Sequence, residues 1–259
     1  MRLRRDFYEV CPSRRAFTLI ELLVVVTIVV LLLATLLPAL GRSIEVAQTT
    51  ACRSNFHQLG VAMNHYIGEE SFYPNAYTGG TIVWAPEVRQ YTDNVNLFWC
   101  PTATEDAKWT VTYGSHANPI YGYAYDEVPL STSGLFSYGH NNGGSADGTE
   151  PSLGMGDYVD FSHATAGWVR FTLTRQPSDF ICLGDSTPDG LWDHFIDEDY
   201  TDGSGRTEYP AARHDNGANI LFADGHAELI QQKYLINITP EGTVNDAQRR
   251  RWNHDHEAH

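Results

Sequence analysis

Positive charge is scarce in this sequence: 17 Lys and Arg stand against 32 Asp and Glu, for a formal net charge of −15 over 259 residues. The basic residues that exist gather at the start, where Arg2, Arg4, Arg5, Arg14 and Arg15 face only Asp6 and Glu9 ahead of residue 17. The acidic body that follows repels phosphate and anionic headgroups, which excludes nucleic acid as a partner and favours cations. Catalytic punctuation is missing too. No serine sits in a Gly-x-Ser-x-Gly turn, no cysteine is flanked by an activating pattern, and Gly-Asp-Ser at 184–186 is a lone tripeptide. No segment repeats at a fixed period, and the length allows one domain or two small ones with a sizeable core.

Charge is absent altogether from Leu22 to Leu37, and between Phe17 and Leu40 only Glu21 ionises. At about 1.5 Å per residue such a helix crosses a hydrocarbon layer of roughly 30 Å. The arginines before it place the N-terminus in the cytoplasm and export everything after residue 40. A cleaved secretory signal is the alternative. Against it stand an apolar run longer than the usual middle region of a signal and the lack of a small-x-small site after it. Glu21 is the anomaly, because a carboxylate in hydrocarbon is costly and normally has a function or a partner.

The run Arg14-Arg15-Ala16-Phe17-Thr18-Leu19-Ile20-Glu21 resembles the cleavage and methylation site of type IV prepilins and of the pseudopilins of type II secretion. The resemblance implies a cut between Ala16 and Phe17 by a prepilin peptidase that also methylates the new amine. It implies that Glu21 is retained in the membrane, paired with the Phe17 amine of a neighbouring subunit during assembly by inner-membrane machinery. A protonated Glu21 at the membrane edge is the plainer reading. Ala16 departs from the usual Gly before the cut and predicts slower processing. Pro38 falls where such helices bend, since proline removes a donor and crowds the preceding turn.

Beyond Gly41, Ile44, Ala47, Ala51, Leu59, Met63, Tyr66 and Ile67 recur at helical spacing, so one helix continues as an amphipathic segment to near Gly68. From residue 72 the pattern changes to short strands: 81–85, 96–99, 109–113, 168–174 and 179–184 are β-branched and aromatic runs bounded by turn residues. The nearly apolar-free stretch 139–156 predicts a long surface loop. Residues 219–230 predict a hairpin turning at Asp224-Gly225. With His214, the segment RHDNGANILFADGH resembles the H-x9-DG signature of a large class of bacterial prepilin-like proteins with a domain of unknown function; 52–66 and 98–101 resemble their other blocks, and 102–165 has no counterpart.

Three constellations could carry chemistry. His214, Asp224 and His226 suffice for a metal or acid–base site, although turn geometry already accounts for Asp224 and Gly225. Asp197, Asp199, Thr201 and Glu208 fall at calcium-loop positions, but Asp202 stands where that loop needs glycine, leaving a solvated acidic loop as the alternative. Of the cysteines, Cys11 leaves with the leader. Cys52, Cys100 and Cys182 remain in an oxidising compartment, where a Cys52–Cys100 disulfide is expected with Cys182 buried alone. The His-rich end, 253–259, reads as a flexible tail.

These readings predict an α+β, pilin-like protein: leader 1–16, membrane-spanning helix 17–40, amphipathic continuation 41–70, and a β-rich head 71–259 built on an antiparallel sheet. The expected function is assembly as a filament or pseudopilus subunit, with no catalysis and no required cofactor, calcium being the one candidate. Its expected location is the inner membrane as a single pass with a periplasmic head, and the cell surface once assembled. The rivals are an anchored domain that binds glycans or calcium without polymerising, and a surface hydrolase built on His214, Asp224 and His226.

Overall fold

The computed structural model describes residues 17–75, 77–78, 81–82, 84–92, 94–107, 111–113, 127–129, 136–141, 153–156, 169–187, 195–197, 208–236 and 246–257. Two compact units divide at Ile44/Glu45. A single helix, α1 (Leu19–Glu70), begins in the first and supplies the opening element of the second, running without a break through Pro38.

In the first unit the apolar side chains from Leu19 to Leu40 are exposed, and α1 is the one described helix long and apolar enough to cross a membrane. Its hydroxyls are internally satisfied: Thr27 and Thr35 donate to the carbonyls of Val24 and Leu32 at 2.8 and 2.9 Å. That matters in lipid, where no water would take the proton.

The second unit buries one stripe of α1, consisting of Cys52, Phe56, Leu59, Gly60, Ala62, Met63, Tyr66 and Ile67. The spacing is that of one helical face. The stripe starts later than the sequence pattern suggests, since Ile44, Ala47 and Ala51 are exposed while Cys52 and Phe56 are fully buried. The helix stops two residues beyond Gly68, where Ser71 takes a left-handed φ of 66°.

Short elements follow: β1 (Tyr77–Thr78) with β2 (Thr81–Ile82), α2 (Trp84–Arg89), and β3 (Val111–Tyr113) with β4 (Glu127–Pro129). The main sheet holds β5 (Tyr138–Asn141), β6 (Ile181–Asp185), β7 (Phe195–Ile196), β8 (Gly217–Phe222) and β9 (Ala227–Gln231), in the order β7-β5-β6-β8-β9. All its pairs are antiparallel except β5–β7, so the sheet is mixed. A helix α3 (Asp246–Arg249) comes last. The long apolar helix followed by this sheet is the α+β arrangement expected.

Both faces of the sheet are covered, which is why β8 is buried at every position. Leu221 joins Leu183, Tyr138 and the α1 stripe in one cluster, while Ala218, Ile220 and Phe222 meet Ile196, Leu235 and Trp252 in the other. Strand alternation sends neighbours to opposite layers. The β8–β9 turn is as anticipated, with Gly225 at φ 89°; Asp224 contributes through its carboxylate, which accepts the His226 N–H at 3.0 Å.

Several expected strands fold otherwise. Residues 95–98 form a 3-10 turn, capped by the Asn94 side chain accepting from the Asn96 N–H at 3.1 Å. Residues 171–173 form another, with Phe171 and Leu173 exposed; 84–85 start α2. At 95–98 the Asn94 side-chain cap overrides β-propensity. The supposed loop 139–156 begins inside the sheet. His140 Nε2 donates to the Pro74 carbonyl at 2.7 Å, and Asn141 Nδ2 donates to the carbonyls of Ile181 and Trp252 at 2.8 and 2.9 Å. Polar side chains are core residues here because each answers a buried backbone group. The described part of the His-rich segment is also held: Asn253 is buried and the His254 N–H donates to Leu153 O at 2.7 Å.

Burial also sets a pH dependence. Glu87 on α2 is pushed up to about 8 from 4.5 by desolvation, against hydrogen bonds from Tyr66 and the Asn75 backbone. The folded chain therefore keeps a proton that the unfolded chain releases, and this group costs stability progressively as pH rises from about 4.5 to about 8. Glu87→Gln should flatten that fall, a gain on the order of a few kcal/mol at pH 8. Urea titrations between pH 5 and 8 measure it; parallel profiles for both chains would refute it.

Candidate functional site

Two places in the chain concentrate chemistry. At the start of α1, Thr18 and Glu21 form a reciprocal cap. The Thr18 N–H and hydroxyl donate to Glu21 Oε2 at 2.9 and 2.8 Å, and the Glu21 N–H donates back to Thr18 Oγ1 at 3.3 Å. This Thr-x-x-Glu capping box satisfies backbone donors that the first turn leaves without partners. Phe17 is exposed beside it, and Ala16 lies outside the described residues. The opening anomaly thus has a local explanation that sequence spacing alone could have revealed: Glu21 is three residues after a threonine.

The second place lies in the head, where four elements converge. Cys52 comes from α1, Cys100 from the segment after the 95–98 turn, Asp185 from the end of β6, and His214 from the turn entering β8. All four are buried, and their ligand atoms lie within 4.8 Å of one another. His214 Nε2 is 3.3 Å from both Cys100 Sγ and Asp185 Oδ2, and Cys52 Sγ is 3.3 Å from Asp185 Oδ1. Each member has an outer support. Thr49 Oγ1 sits 3.0 Å from His214 Nδ1, Tyr138 OH 3.2 Å from Cys52 Sγ, and Thr102 Oγ1 3.0 Å from Cys100 Sγ. Asn219 donates to Asp185 Oδ2 from its backbone N–H at 2.7 Å and its Nδ2 at 3.2 Å.

The electrostatics follow from this crowding. Hydrogen bonds from Cys52, His214 and Thr102 bring the Cys100 thiol down to about 5 against the desolvation that opposes it, while burial drives Cys52 well above the ordinary thiol range. Burial alone would lower His214, but acceptance by Asp185 and Cys100 outweighs it and lifts the ring to about 9. Such a set can hold a cation or a shared proton. It lacks the relay order of a nucleophilic triad, because Cys100 and Asp185 approach the same ring nitrogen rather than opposite ones.

The sequence-derived groupings fare unevenly. His214 is separated from Asp224 and His226 by the whole of β8, six residues at about 3.3 Å each, so the three do not converge. Asp224 and His226 instead pair with each other at the hairpin tip, at 2.5 Å. Cys52 and Cys100 are brought together as free thiols, and Cys182 is a buried thiol on β6. Of the calcium-loop candidates, Asp197 donates its N–H to the Glu208 carbonyl at 2.8 Å, and Asp199 lies outside the described residues. Asp185 was missed. Its signal was a carboxylate closing a strand whose other residues are apolar or glycine.

Residues 11–37 match the family model described as the prokaryotic N-terminal methylation motif. No curated protein and no solved structure matches the chain. A prepilin-like precursor, and hence handling by a prepilin peptidase, is what the motif supports.

Proposed function

We propose that this chain is a structural subunit of a type IV pilus-like or type II pseudopilus-like filament. The observation that carries this reading is the match to the N-terminal methylation motif over 11–37, a stretch that contains Arg14, Arg15, Phe17 and Glu21. The continuous helix α1 supports it, since a single element serves both as anchor and as the spine of the head. The H-x9-DG resemblance around His214, Asp224 and Gly225 points to the same broad class. In this reading the N-terminus is cytoplasmic, the head is exported, and the Glu21 carboxylate meets the methylated Phe17 amine of a neighbour. A buried carboxylate is tolerated when paired with a cation.

Intact-mass analysis with N-terminal peptide mapping, on the chain from native membranes, tests the proposal. The expected mature species begins at N-methylated Phe17. A chain that retains Met1 would make α1 a plain anchor and hand the head to the rival reading, an exported binding domain that does not polymerise.

A further inference from the structure

We propose that Cys52, Cys100, Asp185 and His214 form a structural zinc site that ties α1 to the sheet of the head. The geometry is that of a closed tetrahedral centre. With metal–ligand bonds of about 2.0–2.3 Å, tetrahedral donors stand roughly 3.3–3.8 Å apart. Three of the contacts here, Cys100–His214, His214–Asp185 and Cys52–Asp185, are already at 3.3 Å, and all four donor atoms are mutually within 4.8 Å. An ion at their centre needs only small side-chain adjustments.

The donor chemistry selects the ion class. Two sulfurs and an imidazole are soft or borderline ligands, which calcium and magnesium decline in favour of oxygen. Four protein ligands, all buried, leave no open position for substrate water, so the centre holds structure rather than catalysing hydrolysis.

The surroundings meet the further requirement that ligands be oriented. If the His214 Nδ1 proton goes to Thr49 Oγ1, at 3.0 Å, the Nε2 lone pair is left pointing into the cluster. Asn219 holds the Asp185 carboxylate, while the hydroxyls of Tyr138 and Thr102 flank the two sulfurs. A cavity of about 300 Å³ is lined by Thr102, whose hydroxyl is 3.0 Å from Cys100 Sγ, and by Arg213, which precedes His214. The charge balance agrees. A divalent ion would supply the counter-charge that lets Cys52 and Cys100 bind as thiolates beside the Asp185 carboxylate in this buried setting.

The test uses the full chain with its membrane segment, purified in detergent under reducing conditions after growth with zinc. Elemental analysis should find one zinc per chain, and X-ray absorption should show a shell of two sulfurs with two nitrogen or oxygen atoms. Cobalt(II) added in place of zinc should give a thiolate-to-metal charge-transfer band. Cys100→Ser and His214→Ala should lose the metal, whereas Cys182→Ser should keep it. Should those variants fail to fold, wild-type chain treated with a chelator must lose thermal stability and regain it on adding zinc. Absence of zinc from the reconstituted wild type overturns the proposal. So does a Cys52–Cys100 disulfide in the chain from native membranes, because the same sulfurs cannot serve both purposes.

Discussion

If the chain assembles as proposed, Glu21→Ala should remove it from filaments while leaving its export intact. The substitution takes away two things at once, and they can be separated. One is the cap: Glu21 Oε2 accepts from both the Thr18 N–H and the Thr18 hydroxyl, and losing such a cap costs about 1 kcal/mol of helix stability. The other is the charge proposed to meet the Phe17 amine of a neighbouring subunit. Leaving one partner of a buried ion pair without the other costs about 3–5 kcal/mol, which lowers incorporation by on the order of a hundredfold or more. Glu21→Gln distinguishes the two. A glutamine at this position can still accept from Thr18 and complete the capping box, yet it carries no charge. Both variants should therefore fail to enter the sheared filament fraction in the presence of wild-type subunits, with both still found in the membrane. Wild-type incorporation of Glu21→Gln would show that the cap, not the charge, is what assembly uses.

Asp185→Ala should be the most damaging single change in the head. Asp185 accepts from two donors of Asn219, from Cys52, and from the His214 ring, and all four residues are fully buried. Truncation leaves the Asn219 backbone N–H without this acceptor and removes the partner of His214. Losses of about 3–5 kcal/mol are typical when one member of a buried pair is deleted, and that is a large part of a typical domain's stability. Asp185→Asn keeps the shape and one acceptor oxygen and should lose less. The comparison is made by urea unfolding of the full chain with chelator and reductant present, so that only contacts within the protein count. Equal midpoints for wild type and Asp185→Ala would mean that the carboxylate is not the hub its geometry makes it.

The parts of the structure legible from sequence were those with strong periodicity or a firm turn signal. The apolar run and the 3.6-residue stripe through Leu59, Met63, Tyr66 and Ile67 made the extent of α1 readable, whereas the helix runs through Pro38, where a bend was expected, without a break. Asp224-Gly225 made the β8–β9 hairpin readable. Illegible were the segments whose conformation rests on distant partners. His140 and Asn141 look like loop residues until the carbonyls of Pro74, Ile181 and Trp252 are placed around them. The buried cluster was half visible. Cys52 and Cys100 were expected to meet and His214 was singled out, but as members of separate groupings; only the register of β6 against β8 brings Asp185 to Asn219 and to His214.

The close fit of α1 against the β8–β9 turn has a consequence in time. A Cβ on Gly60 would lie 2.9 Å from Leu221 and 3.0 Å from the Gly225 carbonyl, so helix and hairpin touch almost backbone to backbone. The helix leaves the ribosome early, and its partner is made roughly 160 residues later. At about 5–20 residues per second that is a delay on the order of ten seconds or more. Throughout it the stripe from Cys52 to Ile67 lacks the β8–β9 part of its cover. Any nascent or truncated chain lacking the last hairpin therefore carries an incompletely covered apolar seam along one face of α1.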